Sequence, residues 1–200
     1  MSATENEIHF LLVPDTSAAR RLRRALVEES ARLDVVVGVW RELLVLAADN
    51  YLVPPPAEEA WYEAFHNALS DVPDALWLDS YEASPKDTAA VIEGVYASLL
   101  VESTPEAGLQ SLVSLELSDR IGRHVSDLAS LHDALSGSLP PDLVLTRALL
   151  ATKQGQCVRE VRVYRPPDLP RLSAWQLALV ELLNSRCSFA ADALLQKHLE

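Results

Sequence analysis

The run Ile8-His-Phe-Leu-Leu-Val13, stopped by Pro14-Asp15, constrains this chain more than any other stretch. Short, largely apolar and without helical spacing, it reads as a strand buried on both faces. A helix is expected next. Thr16 or Ser17 can cap it, and Leu22, Leu26 and Leu33 lie within roughly 40° of one another at 100° per residue. Arg20, Arg21, Arg23 and Arg24 take the opposite arc. Asp34 then opens a second apolar run, Val35-Val36-Val37-Gly38-Val39. Strand, helix and strand in about 30 residues have the size of a βαβ unit. Its two strands should be parallel, with a right-handed crossover.

Beyond Trp40 the pattern turns helical. Leu43, Leu44 and Ala47 mark a helix from Trp40 to Asn50, and Pro54-Pro55-Pro56 is a stiff break. Trp61, Phe65 and Leu69 recur at i, i+4 and i+8. Ser84-Pro85-Lys86-Asp87 reads as an N-cap, a proline at the first helical position and an acid at the third. Val91, Ile92, Val95, Tyr96, Leu99 and Leu100 are the expected buried face. A less regular piece runs from Pro105 to Leu117. Ser118 can then cap a helix with Ile121, Val125, Leu128, Leu131 and Leu135 on one side, ended by Gly137 and Pro140-Pro141. Asp142 to Thr152 fits strand or helix. Arg159 to Tyr164 alternates as a half-exposed strand. Ser173 with Gln176 forms a capping box, and Ser188 is expected to begin a last helix to about Leu199. The fold class is therefore α/β and helix-rich: a small parallel sheet with an inserted helical subdomain. Residues 1–53 form the βαβ start, 54–136 the helical subdomain, and 137–200 the return to the α/β core.

Composition narrows the function classes. Seventeen Lys and Arg stand against 29 Asp and Glu, a net charge of −12. A free-standing nucleic-acid binder usually shows a basic balance, because phosphate neutralisation drives its affinity. Contact with DNA would have to come from a local basic patch. The polar, acidic start Met1–Glu7 lacks the form of a signal peptide, and no apolar run approaches the ~20 residues of a membrane span. A cytoplasmic location and no membrane partner are the expectation. Two cysteines, Cys157 and Cys187, make neither a disulfide framework nor a Cys-x-x-Cys site.

No catalytic, cofactor-binding or metal-ligating set emerges from the motifs. The turn Val13-Pro14-Asp15-Thr16-Ser17-Ala18 stands where nucleotide-binding α/β folds hold phosphate on a helix N-terminus. It has no glycine and no Gly-Lys-Ser/Thr ending, and Asp15 would repel an anion, so ATP binding there is disfavoured. His124 and Asp127, one helical turn apart, are too few ligands for zinc. Gly137-Ser138 is a helix terminator, not a nucleophile elbow. Arg20, Arg21, Arg23 and Arg24 are the candidate contact for DNA or for an acidic partner surface. The bland alternative is a solvated helix face with Arg24 and Glu28 paired at i, i+4.

The strand-turn-helix from Ile8 to Leu33, continued by Val35-Val36-Val37-Gly38-Val39-Trp40-Arg41-Glu42-Leu43-Leu44, resembles the opening of AddB-type helicase-nuclease subunits. Val161-Arg162-Val163-Tyr164-Arg165 and Leu169-Pro170-Arg171-Leu172-Ser173-Ala174-Trp175-Gln176 resemble a later segment of the same group. Those proteins carry a superfamily-one helicase fold and a C-terminal PD-(D/E)XK nuclease. The resemblance implies a sheet of P-loop-like type and a place in DNA repair or recombination. It also implies a chain that continues past Glu200, and a helicase-nuclease partner subunit. Active helicases carry Walker glycines and a lysine where this chain has Pro14 to Ala18. The resemblance is thus to an inactivated member, and no ATPase or nuclease residue carries over. The expected function is a non-catalytic helicase-like module touching single-stranded DNA. The alternative is a protein-binding helical adaptor without DNA contact. A third possibility is a small-molecule enzyme whose site forms only in three dimensions.

Overall fold

A computed structural model describes residues 7–29, 34–103, 109, 113, 117–166, 169–193 and 195. The fold is a helix-rich α/β arrangement whose described residues form eight helices and one three-stranded parallel sheet. The strands are β1 (Glu7–Leu12), β2 (Val35–Gly38) and β3 (Glu160–Tyr164), in the order β2-β1-β3. The helices are α1 (Thr16–Glu29), α2 (Trp40–Tyr51), α3 (Glu58–Asp71), α4 (Leu78–Ala83) and α5 (Pro85–Glu102), then α6 (Asp119–Ala134), α7 (Pro141–Leu150) and α8 (Ala174–Arg186). The chain divides into two compact units. The first holds residues 1–55, 145–172 and 176–200; the second holds 56–144 and 173–175. None of the described helices is long and apolar enough to cross a membrane.

In the first unit β1 is the central strand, which is why its sequence is apolar almost throughout. Successive side chains on a strand point to opposite faces. Ile8, Phe10 and Leu12 enter one core with Leu43, Leu44 and Ala47 of α2, Leu149 of α7, Val161 and Val163 of β3, and Leu179 and Leu183 of α8. Leu11 and Val13 enter the other with Ala19 of α1, Val37, Tyr164 and Leu195. The register keeps these faces in phase. Phe10 lies opposite Val36 and Val163, and Leu11 opposite Val37 and Tyr164. Phe10 and Leu11 are wholly buried; such burial stabilises by about 1.5–3 kcal/mol per side chain.

The structure changes several expectations. Asp15, not Thr16 or Ser17, caps α1 by accepting the Ala18 N–H at 2.8 Å. A carboxylate satisfies a free donor at the helix start and suits the positive end of the dipole. Asp142 to Thr152 resolves in favour of helix: α7 begins at Pro141 and buries Leu143, Leu145 and Leu149. The polar side of β3 is not open. The Arg162 guanidinium donates to the Phe189 carbonyl and stacks over its ring, and the Tyr164 hydroxyl accepts the Asp192 N–H at 2.9 Å. That chain segment, Ser188 to Asp192, is not helical; Ala193 and Leu195 are, so the expected last helix begins later than Ser188, and its stretch from 196 on lies outside the described residues. Leu33 and most of the piece from Pro105 to Leu117 lie outside the described residues.

In the second unit α3 supplies Trp61, Phe65 and Leu69 to a core completed by Ile92, Tyr96 and Leu100 of α5 and Val125, Leu128 and Leu131 of α6. Trp61 stacks on Tyr96 with centroids 6.3 Å apart, and Phe65 lies within 6.0 Å of both rings. Three polar handles find partners. Trp61 Nε1 donates to Glu93 at 2.8 Å, Trp77 Nε1 to the Leu69 carbonyl at 3.1 Å, and the Tyr96 hydroxyl lies 2.7 Å from His132 Nδ1. The buried face of α5 is narrower than its sequence suggests. Val91 and Val95 are 68% and 48% exposed, as is Ile121 of α6 at 55%. On α5 the core takes only the side carrying Ile92, Tyr96 and Leu100.

Candidate functional site

The arginine helix separates into two roles. Arg23 Nε and Nη2 both donate to the Val37 carbonyl, and Nη2 also meets Glu42 at 3.3 Å. Glu42 in turn accepts the Val39 N–H at 2.9 Å, which ties the start of α2 to the end of β2. Arg23 is thus a bracket between α1, β2 and α2, not a free contact. Arg20, Arg21 and Arg24 are exposed. Arg24 and Glu28, one helical turn apart, form no ion pair with each other; the arginine of this helix that meets a carboxylate is Arg23, on Glu42.

The carboxyl end of β1 carries a shallow cleft of about 160 Å³, bordered by Val13, Pro14, Trp40, Arg171 and Gln176. Ligand pockets for small molecules run to roughly 300–1,000 Å³, so this cleft is too small for a nucleotide. The helix N-terminus beside it already holds an anion, the Asp15 carboxylate.

The first unit also buries a polar chain that the sequence did not reveal. His9 on β1 places Nδ1 2.9 Å from the Tyr164 hydroxyl and Nε2 3.6 Å from Asp34. The same hydroxyl accepts the Asp192 N–H at 2.9 Å, so Tyr164 and Asp34 bracket the two ring nitrogens of His9. Burial pushes the Tyr164 hydroxyl above the ordinary tyrosine value, the Asp192 hydrogen bond and the Arg162 charge opposing. His9 is only 4% exposed and Phe189 packs against its ring edge-on. With His9 and Tyr164 both buried, the pair is a structural lock between β1 and β3.

A larger concavity lies in the second unit, between α5 and α6. It measures about 710 Å³. Val91, Val95 and Leu99 form one wall, at i, i+4 and i+8, and Ile121, Val125 and Leu128 the other. Trp77 and Leu76 contribute at the α4 end, where Thr88 Oγ1 donates to the Ser80 carbonyl at 2.9 Å. His124 borders the groove, whereas Asp127 turns away to accept the Leu76 N–H at 3.0 Å. These two therefore do not act as a pair, and no group of three potential metal ligands comes together among the described residues. The signal for the groove was present in α5. The doublets Val91-Ile92, Val95-Tyr96 and Leu99-Leu100 cover an apolar arc wider than one packing partner fills.

Cys157 and Cys187 are both half-buried free thiols. Burial pushes the Cys187 thiol up to about 11, with Arg162 opposing, which makes it a poor nucleophile near neutrality.

Compared with protein-family models, with curated proteins and with solved structures, the chain gives no match.

Proposed function

We propose that this chain is a non-catalytic, helicase-like module of the AddB type, in which a P-loop-like sheet carries an inserted helical subdomain and no working nucleotide site. The observation that carries the reading is the Asp15 cap on α1. One of the donors that would cradle a phosphate after β1, the Ala18 N–H, is met by the chain's own carboxylate, and the turn has neither glycine nor lysine. The sheet keeps its place as a scaffold, and single-stranded DNA would be handled through Arg20, Arg21 and Arg24 in a repair or recombination assembly with a helicase-nuclease partner subunit.

The test has two arms. A fluorescent ATP analogue with magnesium should show no saturable binding, and a micromolar dissociation constant would end the claim. Single-stranded DNA should bind at low salt, each neutralised phosphate adding roughly 0.7 to the salt slope. Replacing Arg20, Arg21 and Arg24 together by alanine should flatten that slope by up to about two. Unchanged slope and affinity would return these arginines to the solvated surface.

A second reading, a protein-binding adaptor without DNA contact, is favoured by the exposed apolar side chains of Val91, Val95 and Ile121 around one groove. Absence of DNA binding by the intact chain at low salt would make it the better one.

A further inference from the structure

We propose that the groove between α5 and α6 takes a basic amphipathic helix from a partner protein. The proposal deepens the adaptor reading. A partner held elsewhere on the chain would keep that reading and remove this one.

Shape supplies the first argument. From Asp87 to Leu99 the wall rises by twelve helical steps, roughly 18 Å at 1.5 Å per residue. That length accepts about three turns of a docked helix, which presents apolar anchors at i, i+3 or i+4, and i+7. The groove offers them Val91, Val95 and Ile121, large apolar side chains left between 48% and 68% exposed to water. Scattered exposed valines need no explanation, but several converging on one concavity mark an interaction surface.

Charge identifies the occupant. The second unit holds 16 Asp and Glu against only 3 Lys and Arg (Lys86, Arg120 and Arg123), a net of −13. The first unit holds 13 against 14, a net of +1. The acidity of the whole chain thus resides in the unit that carries the groove. Asp87 stands in the groove wall, exposed, with one carboxylate oxygen on the Ser84 hydroxyl at 2.8 Å. Asp79 and Glu82 are exposed on α4 beside it. A nucleic acid, an acidic peptide or an anionic lipid surface is repelled by this field, whereas a helix with Lys and Arg flanking its apolar stripe is drawn in and held in register.

The experiment uses the full chain and two synthetic 14-residue helical peptides sharing one leucine stripe, with Lys and Arg on the polar face of one and Glu on the other. Fluorescence anisotropy should show the basic peptide binding in the micromolar range and weakening with salt, and the acidic peptide at least about tenfold weaker. The double substitution Val95→Gln/Ile121→Gln sits at exposed positions, and retained far-UV circular dichroism confirms its fold. It should weaken the basic peptide by at least about tenfold. Asp79→Asn/Glu82→Gln should weaken it less and reduce its salt dependence. The proposal is overturned by no binding of the basic peptide at low salt, by equal affinity for both peptides, or by a Val95→Gln/Ile121→Gln chain that binds as the unsubstituted one does. A wild-type dimer that the same double substitution splits, seen by sedimentation, would make a second copy the occupant and overturn it equally.

Discussion

Gly38 shows how one residue fixes the end of a strand. A methyl group there would sit 2.9 Å from Cζ of Phe10 and 2.5 Å from Oε2 of Glu42. The carboxylate can swing away, but the Phe10 ring is wholly buried and cannot. Gly38→Ala should therefore cost about 1–3 kcal/mol, as overpacking of a filled core does. A denaturant midpoint that does not move would show that Phe10 has room. Arg23 and Arg20 differ by the same logic. Arg23→Ala removes the Val37 and Glu42 contacts and should cost about 1 kcal/mol, while Arg20→Ala should stay within about 0.5. Nothing in the spacing of Arg20, Arg21, Arg23 and Arg24 separates them, because the acceptor of Arg23 lies across a strand pairing. Cys187 provides a pH test. Its folded thiol sits at about 11 against an ordinary 9.0, so the folded state holds its proton more tightly. Stability is unaffected below pH 9 and falls as pH rises through about 11. Burial raises Tyr51, Tyr96 and Tyr164 as well, in the same sense. The chain should lose stability at alkaline pH, and iodoacetamide should modify Cys187 only slowly at pH 8. Rapid modification in the folded chain would contradict the burial.

At the scale of elements, α5 separates what periodicity reveals from what it hides. Apolar residues at helical spacing identified α3, α5 and α6 as helices, and the alternation around Val161 identified β3. Which apolar side of α5 meets the core depends on α3 and α6, and those contacts are set by neighbours distant in sequence. Phe65→Ala removes a ring that is 1% exposed and touches both Trp61 and Tyr96, so about 3–5 kcal/mol should be lost. Val95→Ala at 48% exposure should change stability by less than about 0.5 kcal/mol. Equal costs in urea melts would mean that both sides of α5 are core. The cap of α1 is a similar case. Asp15, Thr16 and Ser17 are all good capping residues, and only the direction in which the chain leaves β1 selects Asp15. The His9–Tyr164 pair joins residues 155 apart in sequence and has no local signature at all.

Across the whole molecule, the division of charge changes what a net of −12 means. A basic or neutral first unit and a strongly acidic second one can meet different partners, so an acidic total does not bar DNA from Arg20, Arg21 and Arg24. The acidity also has a cost inside the second unit, where 16 acidic groups repel one another with only Lys86, Arg120 and Arg123 to offset them. Arg123 spends one donor on the Asp74 carbonyl, holding the loop before α4 against α6. Self-repulsion of this kind destabilises a compact state and is relieved by salt. Between about 0.01 M and 0.1 M ionic strength the screening length falls from roughly 30 Å to 10 Å, the range over which charges on α3, α5 and α6 act on one another. Amide hydrogen exchange should therefore slow in α3, α5 and α6 as salt is added over that range. The amides of β1, β2 and β3, in a unit with a net of +1, should change little. Equal slowing in both units would assign the effect to general salt stabilisation, and faster exchange in α3 and α6 would show that attractive pairs, not repulsion, dominate the second unit.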